Sequence, residues 1–313
     1  MCTAISYTAE NHYFGRNLDL ERGYGERVVV TPRRFPFAFR HLPKCVSHLA
    51  MIGMAAVVDG YPLYFEATNE KGLSVAALNF PDNAFYGDVE AGRENLAPFE
   101  LIPYLLGSCQ GLSDIKHILE NLNVVNESFS EELPVSPLHF LISDSIGSLT
   151  LECTVEGMRV YDNPFGVLTN NPPFPFHASN VENYMALHAG AAENRLSPTF
   201  PLKNHSLGLG AFGLPGDFSS ASRFVRALFV KENSVASGEE ETVNQFFHIL
   251  SSVAMPRGCV RTAGGEYEYT RYSSCCDTNR QIYYYTTYEN RTVRRVEMHA
   301  ANLDGERLVI VDG

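Results

Sequence analysis

The chain is short of positive charge: 24 Lys and Arg stand against 36 Asp and Glu, giving a formal net charge of -12 and a pI of about 5.3. Phosphate neutralisation needs clustered cations, and none cluster here, so nucleic acid is excluded as an expected partner. Long apolar runs are also missing. The longest, around Ala50 to Val58, falls well short of the ~20 residues of a membrane span and contains Gly53, so no membrane association is expected. The N-terminus lacks a basic segment leading into an apolar one, and Glu10, Asn11, His12 and Arg16 interrupt its hydrophobicity. No signal peptide is therefore expected, and the chain reads as cytosolic. Its seven cysteines (Cys2, Cys45, Cys109, Cys153, Cys259, Cys275, Cys276) are odd in number and show no CxxC spacing, which argues against a zinc site or a secreted disulfide frame. The vicinal pair Cys275-Cys276 reads as structural. Ten histidines occur without HExxH spacing, and His139 and His248 read as ordinary strand and helix residues. No internal repeat or low-complexity tract is present.

What the sequence does have is enough apolar material for a substantial core, with 45% hydrophobic residues over 313 positions. Short β-forming runs at Thr3 to Tyr7, Arg27 to Thr31, Ala50 to Val58, Pro62 to Ala67 and Leu73 to Asn79 are separated by turn formers. Helix-spaced apolar residues follow at Phe99 to Leu106 and Ser113 to Leu122. Alternation returns at Leu138 to Ser143, Ser148 to Thr154 and Arg159 to Asp162, where a second sheet is expected to begin. Helices are expected at Val181 to His188, Ser219 to Val230 and Thr242 to Val253, before a closing β segment of Tyr267 to Ser273, Gln281 to Tyr288 and Arg294 to His299. Two strand blocks, each followed by helices, predict two sheets and helical layers in one integrated domain over residues 1–313. The Pro, Gly and Ser-rich stretch Leu196 to Leu214 reads as a long surface loop.

Several segments could carry chemistry. Met1-Cys2-Thr3 would leave, after loss of one methionine, a thiol and a free α-amine on a single residue. The thiolate is a nucleophile, and an α-amine with a reference pKa near ~7.7 to 8.0 can take its proton. Arg16 and Asp19 lie three apart within Phe14 to Asp19 and read either as a surface ion pair or as partners of the thiol and the amine of Cys2. Asn79 and Asn170 (or its neighbour Asn171) end apolar runs just before proline, and read either as chain terminators or as oxyanion-stabilising donors. Arg223 follows a serine-rich helix start, where a cation opposes the helix dipole and so needs another partner.

Taken in order, Met1-Cys2-Thr3, Phe14 to Asp19, Leu78 to Pro81, Leu168 to Pro172, Leu214 to Arg223 and Tyr272 to Cys276 resemble the choloylglycine hydrolase family, whose members include bile salt hydrolases and penicillin V acylases. The resemblance extends through Asn126 to Ser130 and Tyr161 to Pro164, and so runs over nearly the whole chain. It implies an α+β fold, the four-layer αββα sandwich of N-terminal nucleophile hydrolases, assembled as a homotetramer. It implies Cys2 as nucleophile, Arg16 and Asp19 as its orienting charges, Asn79 and Asn170 as the oxyanion hole and Arg223 as the completing cation, without a metal or other cofactor. The implied substrates are glycine- or taurine-conjugated bile salts, with Leu20, Tyr24, Phe65, Phe129 and Leu138 as candidate pocket residues. Asn79 favours bile salts over penicillin V, since acylases resemble one another with tyrosine there. Two departures bear on pocket shape: Pro81-Asp82-Asn83-Ala84 replaces a glycine-tyrosine turn, and Phe140 stands where tryptophan is frequent. A non-catalytic steroid- or acyl-binding protein on the same fold and a redox role for Cys2 are the competing readings.

Overall fold

A computed structural model describes residues 1–311. The chain begins with a hairpin of β1 (Cys2–Thr8) and β2 (His12–Leu20), then runs through β3 (Arg27–Thr31), β4 (Met51–Val58), β5 (Tyr61–Asn69) and β6 (Ser74–Asn79). A short parallel pair, β7 (Glu94–Leu96) and β8 (Leu122–Val124), brackets helices α1 (Leu101–Ser108) and α2 (Leu112–Leu119). Strands β9 (Leu138–Asp144), β10 (Gly147–Thr154), β11 (Gly157–Asp162) and β12 (Val167–Leu168) precede helices α3 (Phe174–Val181), α4 (Ser220–Glu232) and α5 (Gly238–Ser251). Strands β13 (Val260–Arg261), β14 (Tyr267–Asp277), β15 (Ile282–Thr287), β16 (Arg294–Glu297) and β17 (Val309–Val311) complete the fold.

These strands form two antiparallel sheets packed face to face. One runs β12-β1-β2-β14-β15-β16, with β13 on β14; the other runs β11-β10-β9-β6-β5-β4-β3-β17. Helices α4 and α5 cover the first sheet, and α1 and α2 cover the second, giving four αββα layers. Strands buried on both faces explain the near-continuous apolar runs of the sequence. Within β3, Val28 and Val30 pack in the core shared by the two sheets, while Val29 faces the α1/α2 side. In β6 the same alternation sends Ala76 and Leu78 one way and Val75 and Ala77 the other. At Gly15 a Cβ would lie 2.0 Å from the Ser274 carbonyl, so only glycine lets β2 and β14 approach this closely beside Arg16.

Three expectations are corrected. No second sheet begins at Leu138: β9 pairs with β6 and extends the sheet that β3 to β6 had started, while the N-terminal hairpin instead joins the C-terminal strands. The sheets are thus assembled from sequence-distant pieces, which alternation cannot reveal. The helix expected at Val181 to His188 lies earlier, because Pro173 and Pro175 suit a helix start, and it ends in a 3-10 turn at Glu182–Tyr184. Leu122, counted in the second helix, belongs to β8.

The sheets are also tied by a polar cluster at the end of the sandwich. His12 of β2 bonds Ser143 of β9 through Nε2 at 3.1 Å and Thr8 through Nδ1 at 2.9 Å. Burial, with Lys231 adding and Asp144 opposing, holds the imidazole down at about 4 against its ordinary 6.5. Because the folded value is depressed, the unfolded chain binds the proton first as pH falls, so stability present above pH 6.5 is lost toward pH 4. Urea titrations at stepped pH are expected to show a decline of about 3 kcal/mol across that window, and His12→Asn should flatten this component. An unchanged decline in the variant would contradict the assignment.

Candidate active site

Strand β1 lies inside the first sheet, between the edge strand β12 and β2, and its first residue, Cys2, is buried where the two sheets meet. Cys2 pairs across the hairpin with Leu18, and Ala4 pairs with Arg16. Cross-strand partners share a face. Cys2, Arg16, Leu18 and Leu20 accordingly border one cavity between the sheets. Asn17 and Asp19 alternate to the other face, where Asn17 Nδ2 donates to Leu250 O of α5 at 2.8 Å and Thr270 Oγ1 donates to Asp19 Oδ1 at 2.6 Å. A β-bulge between Thr270 and Tyr272 keeps β14 in step with β2 around Asp19. The three-residue spacing of Arg16 and Asp19 therefore does not make them an ion pair. It sets them on opposite faces of β2, one on the cavity side and the other on the helix side.

Arg16 is fully buried. Its Nη1 donates to Phe65 O at 2.9 Å and Ala77 O at 2.5 Å, while Nη2 has no partner among the described residues. Burial works against its charge, but Cys2, Tyr272, Glu66 and Asp19 outweigh that and hold the guanidinium above its ordinary value. Burial likewise raises the Asp19 carboxyl, against the pull of Arg223, the chain's terminal ammonium, Thr270 and Arg16. Asp19 Oδ2 has no hydrogen-bond partner among the described residues.

Helix α4 delivers the second cation. Ser219 caps it by accepting from Ser222 N, and one turn on, Arg223 points back from the helix into the sheet. Its Nη1 donates to Cys2 O at 2.5 Å and Thr3 Oγ1 at 2.6 Å, Nη2 donates to Asn170 Oδ1 at 2.7 Å, and Nε donates to Phe218 O at 3.0 Å. These acceptors account for a cation so early in a helix. Burial lowers its pKa, with Asp19 and Cys2 opposing.

Asn170 follows β12, the edge neighbour of β1, and its side-chain oxygen also accepts from Cys2 N at 2.8 Å. That nitrogen is here the Met1-Cys2 amide; on loss of Met1 the same atom becomes the α-amine. Asn170 Nδ2 donates one hydrogen to Asn79 O at 2.6 Å, which leaves its second hydrogen free to meet another acceptor. Asn171 turns away and donates to Pro81 O at 2.5 Å, which separates the two neighbouring asparagines. Asn79, at the end of β6, borders the cavity.

Sequence reasoning missed the residues that hold Asn170. His139, read as an ordinary strand residue, bonds the Thr169 carbonyl through Nε2 at 3.0 Å and Glu152 through Nδ1 at 3.1 Å. His177 Nε2 bonds the Asn170 carbonyl at 2.9 Å, and the Ser220 hydroxyl accepts from Asn170 N at 2.8 Å. No spacing signal links these positions, because β9, α3 and α4 converge only in the fold.

The cavity holds about 410 Å³, within the usual range for small-molecule sites. Leu20, Tyr24, Phe65, Phe129 and Leu138 all border it, together with Phe99 from the turn before α1 and Ile102 from its first turn, neither of which was among the candidate pocket residues. Phe140 does not border it. That residue is buried toward α1 and α2, so the exchange for tryptophan alters the outer core and not the cavity wall. Pro81 to Ala84 also lie outside the wall. Chemically, the arrangement joins a thiol, a nitrogen held by an amide oxygen, buried cations and an apolar chamber, which are the parts of an acyl-transfer site.

Comparison with known proteins agrees. The family of linear amide C–N hydrolases described as the choloylglycine hydrolase family matches residues 2–311. A bile salt hydrolase/transferase from Lactiplantibacillus plantarum is 48% identical over 310 residues, covering 99% of this chain and 96% of the relative. The crystal structure of a cysteine-to-alanine variant of the conjugated bile acid hydrolase from Clostridium perfringens superposes with a TM-score of 0.93 at 34% identity, covering 100% of this chain and 97% of that one. A penicillin V acylase from Agrobacterium tumefaciens, at 20% identity and a TM-score of 0.78 over 98% of this chain and 90% of its own, shares the fold. With β1 beginning at a buried cysteine that two arginines frame beside an apolar cavity, and with these matches over its whole length, the chain belongs to the choloylglycine hydrolase family of linear amide C–N hydrolases.

Proposed function

We propose that the protein hydrolyses the amide bond of glycine- or taurine-conjugated bile acids, with Cys2 as the nucleophile after removal of Met1. The observation that carries this reading is the position of Cys2, whose thiol side borders an apolar cavity of about 410 Å³ while its nitrogen sits on Asn170 Oδ1. The names of the relatives from Lactiplantibacillus plantarum and Clostridium perfringens support the substrate class.

In this mechanism the α-amine takes the thiol proton, and the thiolate attacks the amide carbonyl carbon. Arg16, on the thiol side of β2, favours the thiolate; Asp19, on the other face, favours the ammonium. Burial lowers the terminal ammonium of Met1 from 8.0, with Arg223 and Arg16 adding and Cys2 and Asp19 opposing; once Met1 is lost, the α-amine of Cys2 is the base nearest the thiol. Negative charge on the carbonyl oxygen of the tetrahedral intermediate is met by the Asn79 side chain and the unspent Nδ2 hydrogen of Asn170. Collapse breaks the C–N bond, the ammonium gives its proton to the departing glycine or taurine nitrogen, and a Cys2 thioester remains. Water, deprotonated by the amine, releases the bile acid and regenerates the thiol. A second amine in place of water would carry out acyl transfer, in keeping with the transferase part of the relative's name.

Two further statements belong to the proposal. The segment after α3 exposes apolar side chains, with Leu207 98% and Phe212 85% exposed, which supports burial against other copies in a homotetramer. Seven unpaired cysteines support a reducing, cytosolic setting.

With glycocholate, taurocholate and penicillin V as substrates, release of glycine or taurine is expected to dominate, and Cys2→Ser should slow it at least about 10³-fold. Turnover persisting at a similar rate in that variant would remove Cys2 from the mechanism, and faster penicillin V cleavage would reassign the substrate. Arg223→Lys keeps the charge but loses the fork that joins Cys2, Thr3 and Asn170. Stability in urea should fall by about 1.5–3 kcal/mol, with kcat lowered more than KM is raised, whereas wild-type behaviour would show that the fork is dispensable. Light scattering should give a tetramer that the double substitution Leu207→Asp, Phe212→Asp dissociates; a monomeric wild type would refute the assembly.

A further inference from the structure

Glu66 of β5 is buried between the sheets, away from the cavity wall to which its neighbour Phe65 contributes. Its Oε2 accepts from Tyr272 OH at 2.6 Å, and its Oε1 accepts from Ser274 Oγ at 2.9 Å and from the Tyr283 hydroxyl. The Arg16 Nε lies 3.9 Å from Oε2. Three hydroxyl donors converging on one buried carboxyl from β14 and β15 are more than packing requires, and each favours the ionised form. Burial raises the Glu66 carboxyl above its ordinary value, while Arg16, Tyr272, Tyr283 and Ser274 oppose that rise. Cys276 of β14 also faces it, held up by its own burial.

Charge balance gives this cluster its meaning. The buried ionisable side chains around Cys2 include the cations Arg16 and Arg223 and the carboxyls Asp19 and Glu66, while a further buried carboxylate, Glu268 of β14, pairs with the Met1 ammonium. With Arg16, Arg223, Asp19 and Glu66 ionised, those four charges cancel. A proton can then pass from the Cys2 thiol to its amine and back without leaving an uncompensated buried charge, which low-dielectric surroundings penalise heavily.

We propose that Glu66 is a positioning residue of the reaction, the counter-ion of Arg16 that keeps the thiolate and ammonium of Cys2 in balance. The inference rests on the reading of Cys2 as nucleophile. Removing the Glu66 charge makes the surroundings one unit more positive, which favours the thiolate but disfavours the ammonium that must protonate the departing amine. The thiol should ionise more readily while turnover falls, a combination that a merely structural role does not produce.

The test uses the full-length, Met1-processed protein. Iodoacetamide labelling of Cys2, followed by mass spectrometry of the N-terminal peptide across a pH series, gives the labelling midpoint, and steady-state assays with glycocholate give kcat and KM. Glu66→Gln is expected to shift the midpoint acidward by about 0.5 to 1 unit and to lower kcat at least 10-fold with KM within about 2-fold. Tyr283→Phe, which removes one hydroxyl, should move the midpoint the same way by less, and Glu66→Asp should restore it. A midpoint for both Glu66→Gln and Tyr283→Phe that coincides with wild type, or moves alkaline, would overturn the counter-ion role. If instead labelled wild-type protein still turns over, the nucleophile reading itself fails, which separates the two failures.

Discussion

Everything at this site depends on how the Arg223 guanidinium is shared. One side chain from α4 reaches the Cys2 carbonyl, the Thr3 hydroxyl and the Asn170 side-chain oxygen, joining the helix layer to β1 and to the strand end beside it. Hydrogen bonds to a charged donor are the stronger kind, and a planar fork fixes direction as well as distance. Asn170 is thereby set to receive the Cys2 nitrogen, and the chain terminus is held at a defined point instead of fraying as termini usually do.

The second constraint is the alternation of β2. Because successive residues face opposite sides, Arg16 meets the cavity side and Asp19 the helix side, with Cys2 hydrogen-bonded in register alongside. One strand thus offers different charges to the two functional groups of a single residue. The sandwich supplies the rest: packed sheets exclude water from the charges, and the separation of the sheets near β6 and α1 leaves an apolar chamber next to the thiol.

Much of this was legible in the residues. The alternation of β3 to β6 and of β9 to β11 marked the strands closely, and the serine cap located α4. Met1-Cys2-Thr3 and the ordered motifs from Arg16 to Arg223 pointed to a family, and all five candidate pocket residues border one cavity with Cys2. What stayed hidden was long-range pairing. Nothing local in Leu138 to Ser143 says that it will join β6, nor in the first hairpin that it will pair with residues more than 250 positions away. For the same reason His139 read as an ordinary strand residue and no local signal marked His177 or Glu66, since their partners lie on other elements. Helix α3 was misplaced for a local reason, the prolines at its start.

The central claim is that the acyl group passes through the Cys2 thiol of a chain that has lost Met1. Acid quenching of the protein during turnover of a conjugated bile salt, followed by mass spectrometry of the N-terminal peptide, observes that species directly. The account expects a peptide beginning at Cys2 and carrying the bile acyl group as a thioester, formed and consumed at rates compatible with turnover. An acyl group on any other residue, or full turnover by protein that retains Met1, would contradict it.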